Sequence, residues 1–444
     1  MKPYPAYKDS GIEWIGKIPD GWKETYLKYA VNEIIGGGTP DTKNIDFWAT
    51  SGGIPWVAIS DISESQGTLK STTKSITEDG RKSKNLSIIP KGTMLISIFA
   101  SLGKTTMLEI DATVNQAILG IIPSLNLEKK FLKYFFIDVE RNIGYYSSSN
   151  TQENLNLTKI KELPLPLPPL PEQQAIASFL DNKTHLIDEA ISKKEQLIKL
   201  LEEERAAKIN HAVTKGLNPN VKMKDSGVEW IGEIPDGWEV KRLKYISQVQ
   251  PSNVDKKSQE GEEKVKLCNY VEVYKYEFID STISFMEATA KKDQIDKFEL
   301  KKNDIIITKD SEDYEDICVP TLVIQDLPLV LCGYHLTHIR AENKILNGAY
   351  LFRLFQSKQF NTQFVVAANG ITRYGVSTYP IANCKISLPP LPEQQAIVDY
   401  LNQETQKIDK TIKKIKAEIE LLQEYRTSLI SEAVTGKIDV REVA

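Results

Sequence analysis

The chain has 444 residues, 41% of them hydrophobic and 26% charged, a length that predicts roughly two to four domains in a globular protein. Its 56 Lys and Arg against 60 Asp and Glu give a formal charge of −4, which excludes a uniformly basic nucleic-acid-binding coat but leaves room for a local basic face. The four cysteines form no CxxC pair, and neither the uncharged run 112–127 nor the N-terminus has the pattern of a membrane helix or secretion signal, so we expect a cytoplasmic protein without disulfides.

Two segments of the chain occur twice. KDSGIEWIGKIPDGW at residues 8–22 returns as KDSGVEWIGEIPDGW at residues 224–238. LPPLPEQQAI occupies residues 167–176 and, without change, residues 388–397. These repeats predict two tandem halves, roughly 1–222 and 223–444. We call the repeated segments the frame.

The sequences enclosed by the frame are unlike each other. Residues 23–165 form the first insert and residues 239–387 the second, and beyond a short Leu-Lys-Tyr leader they do not align. Drift after duplication is one explanation, but drift would have eroded the frame as well. We therefore interpret the frame as doing one common task twice, while the inserts do two different tasks.

A long helix is predicted after each Pro-rich junction. Proline is tolerated in the first turn, and apolar residues then recur every three or four positions over residues 172–213 and 393–434, until Gly216 and Gly436. At about 1.5 Å per residue each helix would be a rod of roughly 60 Å. A rod of this length needs a partner for its apolar stripe. Each helix could pack on its own domain, but matched seams favour an antiparallel coiled coil with a pseudo-twofold axis.

Both inserts combine short strands with one helix, in the same order. The first insert has β-type runs at 54–59, 94–99 and 117–122 and a helical stretch at 131–137. The second has β-type runs at 264–273, 304–308 and 329–332 and a helical stretch at 347–356. This order predicts an α+β chain in which one mixed α/β domain fold is used twice.

The predicted loops of both inserts carry basic, polar and aromatic residues. Such side chains read base edges and hold phosphates in nucleic-acid complexes. Each alone is more often a solvated loop residue, and the prediction depends on their joint occurrence. The candidate DNA-binding residues are Gly37, Thr39, Lys43, Lys74, Arg81, Lys82, Tyr146, Ser148, Asn150 and Gln152 in the first insert, and Lys309, Ser311, Tyr334, His335, Arg373 and Tyr374 in the second.

Catalytic motifs are not found. The segment SLGKTT at residues 101–106 resembles a phosphate-binding loop, but Ile98 stands where the first glycine is required. His335 and His338 lack the companions of a metal site, and no adenine-methylation tetrapeptide or Gly-x-Ser-x-Gly elbow is present. We therefore predict a binding module without catalytic residues or a bound metal.

The frame and its order resemble the specificity (S) subunit of type I restriction-modification systems. The resemblance rests on KDSGxEWIGxIPDGW, on LPPLPEQQAI and on the AVTxG helix ends, and it covers the whole chain. It implies target recognition domains at 1–165 and 217–387 and long helices at 166–216 and 388–444. Each recognition domain would read one half of a bipartite double-stranded DNA target, and the helices would set its spacer.

The same resemblance implies partners. Two modification subunits would form an adenine-N6 methyltransferase with this chain, and two motor-nuclease restriction subunits would complete the restriction enzyme. S-adenosylmethionine, ATP and Mg²⁺ would belong to these partners, so no cofactor is expected in this chain. The residues expected at the partner interface are Pro169, Glu172, Gln173, Gln174, Pro390, Glu393, Gln394 and Gln395. Two alternatives remain open, a coiled-coil scaffold whose inserts bind proteins and a self-sufficient nuclease.

Overall fold

The computed structural model describes residues 2–65, 67–99, 102–143, 155–314 and 316–442. The chain divides into two compact units. The first unit comprises Met1–Lys194 and Ala417–Ala444, and the second comprises Glu195–Lys416. Each unit therefore contains one insert together with parts of both long helices.

The first half of the chain begins with a hairpin, continues through the first insert and ends in a long helix. Its strands are β1 Tyr7–Asp9, β2 Lys17–Pro19, β3 Lys23–Tyr26, β4 Val31–Gly36, β5 Trp48–Ala49, β6 Ile54–Val57, β7 Thr68–Leu69, β8 Lys74–Ile76, β9 Met94–Ser97, β10 Thr105–Leu108, β11 Thr113–Val114, β12 Ile118–Pro123 and β13 Pro164–Leu167. Its helices are α1 Leu27–Ala30, α2 Ile59–Glu64, α3 Glu78–Ser83, α4 Lys129–Arg141, α5 Leu157–Lys161 and α6 Leu170–Lys215.

The second half repeats this plan. Its strands are β14 Met223–Asp225, β15 Glu233–Pro235, β16 Glu239–Arg242, β17 Ser247–Pro251, β18 Glu263–Cys268, β19 Phe278–Ile279, β20 Met286–Ala290, β21 Glu299–Leu300, β22 Ile305–Thr308, β23 Asp310–Ser311, β24 Pro320–Val323, β25 Leu327–Cys332, β26 Leu336–Ala341, β27 Tyr374–Gly375 and β28 Lys385–Leu388. Its helices are α7 Tyr270–Lys275, α8 Lys292–Phe298, α9 Gly348–Phe355, α10 Lys358–Ala367, α11 Thr378–Asn383 and α12 Leu391–Val434.

The two inserts share one topology. A five-stranded sheet has the order β4-β12-β9-β10-β7 in the first and β17-β26-β22-β24-β19 in the second, with a parallel pair at the same edge. A four-stranded sheet lies beside it in each, in the orders β11-β6-β8-β5 and β20-β18-β25-β21. The last strand of this four-stranded sheet lies at opposite edges in the two inserts. In the first insert β5 pairs with β8, whereas in the second β21 pairs with β25. The prediction of one α+β fold used twice is therefore confirmed, with a difference at this edge.

The repeated hairpin is held by its turn and by one tryptophan. Strands β1 and β2 pair antiparallel with Lys8 opposite Ile18, and β14 and β15 repeat this register. Trp22 is 1% exposed and lies against Gly436, whose φ of +72° ends α12. Trp238 is 1% exposed and lies in the same way against Gly216, whose φ is +75°. These glycines end the helices in the left-handed conformation and leave room for the indole rings.

The long helices pack side by side and antiparallel within each unit. In the first unit Asp188 pairs with Arg426 at 2.9 Å and Lys194 with Glu418 at 2.5 Å. In the second unit Arg205 pairs with Asp409 at 3.0 Å and Lys208 with Glu404 at 3.1 Å. In both units, residues with increasing numbers in α6 pair with residues of decreasing number in α12, which is the pattern of antiparallel helices. The helix bounds predicted from the apolar spacing, 172–213 and 393–434, agree with α6 and α12 to within two residues.

The long helices also pack on the inserts, which was the alternative prediction for their apolar residues. Ile176 and Leu180 of α6 join Phe131 and Phe135 of α4 in the main core of the first unit. In the second unit Ile397 and Leu401 of α12 join the core that contains α9. Both interpretations of the apolar seam are therefore correct: the start of each helix packs on an insert, and residues further along pair with the other helix.

One predicted element is wrong. Residues 264–273 were expected to form a single strand, but β18 ends at Cys268 and helix α7 begins at Tyr270. Glu272 caps the start of this helix, because its carboxylate accepts the backbone N–H of Asn269 at 2.7 Å. This cap stabilises a helix start and overrides the β propensity of the valines that follow.

Among the described residues, no helix is long and apolar enough to cross a bilayer.

Candidate nucleic-acid interface

Six candidate residues of the second insert lie in one cluster, although three separate segments supply them. The two-residue strands β23 and β27 pair, which sets Ser311 opposite Tyr374. The Lys309 ammonium lies 5.7 Å from the centre of the Tyr334 ring, and the rings of Tyr334 and His335 are 4.1 Å apart. We call this group of six residues the second-insert cluster; four of them, Ser311, Tyr334, His335 and Arg373, line a cleft of about 660 Å³.

Asp310 organises the charges of the second-insert cluster. Its carboxylate pairs with His335 at 3.0 Å and accepts hydrogen bonds from the guanidinium of Arg373. This hydrogen bonding raises the pKa of Arg373, so the guanidinium stays charged. Sequence analysis missed Asp310, because an acid in a nucleic-acid surface carries no signal of its own. Here it orients two donors that can turn toward a base or a phosphate.

The rest of the cleft carries more acidic than basic side chains. Lys256 lies over the ring of Tyr270 at 5.5 Å, and Tyr274 also lines the cleft. Three acidic residues line it too: Glu312, Asp313 and Asp316. The surface is therefore aromatic and polar rather than uniformly basic, a composition that suits readout of base edges better than general attraction to phosphate.

In the first insert, Lys74 lies beside a tryptophan that was not predicted. Its ammonium is 5.7 Å from the centre of the Trp48 ring, and Trp48 meets Trp56 edge to face at 5.1 Å. Thr42, Thr50 and Ser51 join Trp48 and Lys74 around a cleft of about 570 Å³. Exposed hydroxyls, a cation and a half-exposed indole in one cleft can bind a nucleic-acid strand.

The other described candidates of the first insert are scattered among different roles. A Cβ at Gly37 would lie 2.0 Å from the carbonyl oxygen of Val114, so this glycine permits a close backbone approach. Thr39 is hydrogen-bonded to Gln116, and Lys43 is exposed. Arg81 donates twice to Glu78, at 2.9 and 2.7 Å, and once to the carbonyl of Leu86 at 2.8 Å.

Arg81 would have to exchange these bonds before it could reach a ligand. Lys82 is exposed and lies 3.8 Å from the same Glu78 carboxylate. The candidates Tyr146, Ser148, Asn150 and Gln152 lie outside the described residues, as does Ser101 of the loop-like segment. Within the described ranges, no group of three or more His, Cys, Asp or Glu side chains is arranged to hold a metal ion.

Two of the expected partner-interface residues are internal to their units. Gln173 is 1% exposed, and its side chain accepts from the backbone N–H of Glu128 at 2.8 Å and donates to the carbonyls of Asn126 and Pro168. Gln394 is fully buried and makes the same three bonds, with Asn347, Ile345 and Pro389. These glutamines fasten each insert to the start of a long helix, which accounts for their identity in both halves.

The remaining interface candidates differ in exposure. Glu172 accepts hydrogen bonds from the Tyr4 hydroxyl at 2.6 Å and the Trp22 indole at 2.9 Å. Glu393 lies beside Gly216 and is half-buried. Four candidates are exposed, and for these the interface prediction stands: Pro169, Gln174, Pro390 and Gln395.

A further contact between insert and helix differs between the units. Tyr134 of α4 donates to Asp181 at 2.7 Å and lies 3.1 Å from the hydroxyl of Thr184. Arg353, at the corresponding place in α9, donates to Asn402 at 2.8 Å and lies 3.4 Å from Thr405. The first unit thus uses a neutral phenol where the second uses a buried cation. Sequence analysis missed this pair because the two residues are unlike.

Comparison with known proteins gives one family. The sequence profile of the type I restriction modification DNA specificity domain matches residues 19–201 and 235–421. The type I restriction enzyme MjaIX specificity subunit of Methanocaldococcus jannaschii is 29% identical over 435 residues, covering 97% of this chain and 96% of that protein. The EcoBI specificity subunit of Escherichia coli is 22% identical over 448 residues, covering 97% and 89%.

Solved structures share the fold. A chain from a study of complex assembly and conformational transition of the type I R-M system superposes with a TM-score of 0.72 at 15% identity, covering 95% of this chain and 99% of that chain. The HsdS subunit from Thermoanaerobacter tengcongensis gives a TM-score of 0.54 at 16% identity, covering 95% and 98%. At these identities the likeness concerns the fold alone.

Proposed function

Because the chain belongs to the family of type I restriction modification DNA specificity subunits, its function is DNA sequence specificity, and we propose that each insert reads one half of a bipartite target. One observation carries the proposal. The inserts share a fold but present unlike polar surfaces, Lys74 with Trp48 in the first and the second-insert cluster in the second. Two different readers in one chain suit a target with two different halves.

The long helices would set the spacer between the half-sites. Helix α6 has 46 residues and α12 has 44, and paired rods of this length are rigid enough to fix a separation. One DNA turn of roughly 34 Å lies within their reach. Under this proposal the spacer length depends on the helices and not on the inserts.

The chain would act as the non-catalytic member of a cytoplasmic complex. Two modification subunits would supply S-adenosylmethionine and methylate adenine N6 after flipping the base out of the duplex. Two restriction subunits would supply ATP-dependent translocation and Mg²⁺-dependent cleavage. This chain would contribute base readout, phosphate anchoring and docking surfaces.

Replacement of one insert tests the division of labour. If residues 23–165 are exchanged for the first insert of another specificity subunit, we expect one half of the methylated motif to change while the other half and the spacer stay. Methylome sequencing of a host that carries the complex reads the whole motif. A change in both halves would contradict independent readers, and DNA cleavage by the isolated chain would favour the nuclease alternative.

A lysine substitution tests the second-insert cluster. The logarithm of the DNA-binding constant falls as the logarithm of the salt concentration rises. If Lys309 contacts a phosphate, Lys309→Ala should make this slope less steep by about one and leave the preferred sequence unchanged. The measurement is fluorescence anisotropy of the assembled complex on target DNA over a salt series. Lys302→Ala, an exposed lysine outside the second-insert cluster, is the matched control and should leave the slope unaltered. Equal slopes for all three proteins would remove Lys309 from the interface.

A further inference from the structure

Residues 369–375 of the second insert form a short loop that is closed at its base. Its two end residues exchange a pair of backbone hydrogen bonds, at 3.0 and 2.9 Å. A Cβ at Gly370 would lie 1.9 Å from the carbonyl oxygen of Arg373, so this tight closure requires glycine. Ile371 is 93% exposed, which shows that the loop projects from the core. We call residues 369–375 the arginine loop.

The arginine loop holds Arg373 against a fixed carboxylate. Arg373 donates to Oδ1 of Asp310 from its Nε at 3.1 Å and also from its Nη2. The other carboxylate oxygen, Oδ2, lies 3.0 Å from Nδ1 of His335. Strand pairing sets Asp310 opposite Gly375, so the backbone fixes the carboxylate as well. The guanidinium is therefore oriented before any ligand binds, which lowers the entropic cost of binding.

The bonds to Asp310 leave one edge of the guanidinium available. A guanidinium is planar and carries five N–H groups, of which Asp310 takes one on Nε and one on Nη2. Nη1 donates to no residue within the part of the chain that the structure describes, and the Arg373 side chain is 59% exposed. The outer edge, formed by Nη1 and Nη2, thus presents two parallel N–H donors to a ligand.

The charge around Arg373 favours a base edge over a phosphate. Asp310 compensates the positive charge of the guanidinium, and the cleft is lined by three further acidic residues but only one lysine, Lys256. Carboxylates repel a phosphate group, whereas the edge of a base carries no net charge. A compensated guanidinium loses attraction for phosphate but keeps its hydrogen-bond donors, so a base edge is the better ligand.

Among the bases, guanine matches two parallel donors. Its major-groove edge presents two acceptors side by side, O6 and N7. Adenine places an amino donor beside its N7, thymine a methyl group beside its O4, and cytosine presents an amino donor. Each of these three would leave at least one N–H of the outer edge of Arg373 without an acceptor.

We propose that Arg373, oriented by Asp310, reads a guanine in the major groove of the half-site that the second insert binds. This inference rests on the proposed function, which supplies the DNA target. It adds the base, the groove and the orienting role of Asp310. The half of the motif that persists when residues 23–165 are exchanged should therefore contain a G·C pair.

Substitution of the arginine tests the inference on the assembled complex. For Arg373→Ala we expect binding to the guanine-containing target to weaken by about 5- to 150-fold, with loss of preference at one G·C position of this half-site. Fluorescence anisotropy on targets with each base pair in turn at that position gives the preference. The matched control is Arg441→Ala, since Arg441 also donates through Nε and Nη2 to an aspartate, and its preference should be parental.

Base analogues identify the atoms that are read. 7-Deazaguanine lacks N7, so at this position it should weaken binding by the parent complex but not by Arg373→Ala. Hypoxanthine lacks only the minor-groove amino group of guanine and should bind the parent as guanine does. Weakening by hypoxanthine without weakening by 7-deazaguanine would overturn the major-groove assignment.

Asp310→Ala tests orientation separately from contact. The freed guanidinium should discriminate less at the same position, and binding should depend more steeply on salt because a compensating carboxylate is gone. An unchanged salt dependence would contradict the role of Asp310. A parental preference in Arg373→Ala with a slope less steep by about one would show a phosphate contact and overturn the inference, as would a half-site without a G·C pair. Binding of the parent complex without any sequence preference would instead refute the proposed function.

Discussion

Replacing Trp22 by alanine should destabilise the first unit by about 3–5 kcal/mol, because a buried indole leaves a large cavity. Trp22 fills the space between the N-terminal hairpin and the end of α12 at Gly436. Its indole N–H also donates to Glu172 at 2.9 Å, which ties the hairpin to the start of α6. Hydrogen exchange followed by mass spectrometry measures the loss in peptides from β1, β2 and the end of α12.

The two halves of the chain provide a matched control. Trp238 is equally buried, but its indole N–H has no hydrogen-bond partner among the described residues. Trp22→Phe and Trp238→Phe remove the same volume, so Trp22→Phe should be more costly by the hydrogen bond to a carboxylate, about 1–3 kcal/mol. Equal losses would mean that the bond to Glu172 contributes nothing. Tyr29→Ala, at an exposed ring, should have almost no effect on stability.

Replacing Arg353 by alanine should destabilise the second unit by about 3–5 kcal/mol, the usual loss when one partner of a buried ion pair is removed. Arg353 is 2% exposed and donates to Glu277 and to Gln356, each at 2.7 Å. Arg205 of α6 donates to the same carboxylate at 2.7 Å. The loss should appear as faster hydrogen exchange in α9 and in the part of α12 that belongs to this unit.

An exposed arginine is the control for this network. Arg373 also pairs with an aspartate, but its side chain is 59% exposed, so Arg373→Ala should change stability by no more than about 1 kcal/mol. Tyr134→Phe, which deletes the corresponding hydroxyl of the first unit, should lose about 1 kcal/mol there and nothing in the second unit. A small loss for Arg353→Ala, equal to that of Arg373→Ala, would contradict a stabilising network.

The same network gives the second unit a defined response to acid. Burial alone would raise the pKa of Glu277, but Arg205 and Arg353 lower it below its ordinary 4.5. A lowered folded-state pKa favours folding when the group is ionised, so this contribution is full above pH 4.5 and is lost as the pH falls through the folded-state value. Glu277→Gln should therefore flatten the acid limb of a stability–pH profile for this unit, and an unchanged limb would contradict the assignment.

The long helices and the tandem plan could be predicted because their signals are local. Proline before Glu172, apolar residues at helical spacing and Gly216 at the end define α6 within the chain itself. The cap that Glu272 gives to Asn269 was equally local, but the valines around it favoured a strand, and the predicted strand was wrong.

The candidate site was predictable only in part. Residues such as Lys309 and Arg373 stood out by composition, yet the strand pair that brings their two segments together is two residues long and leaves no pattern in the sequence. Gln173 shows the opposite error. Its repetition suggested a partner surface, whereas its bonds go to backbone carbonyls, which any residue provides and no sequence reveals.

The first unit is discontinuous along the chain, and this affects the order in which the protein can be completed during translation. Leu429, Ile430, Ala433 and Val434 belong to the core that Ile18 and Trp22 begin. The second unit is contiguous, so the ribosome delivers all of it before residues 417–442 emerge. In a nascent chain the hydrophobic residues of the first half therefore stay exposed until the last helix turns emerge. A premature stop codon near the end would leave this surface of the first unit exposed.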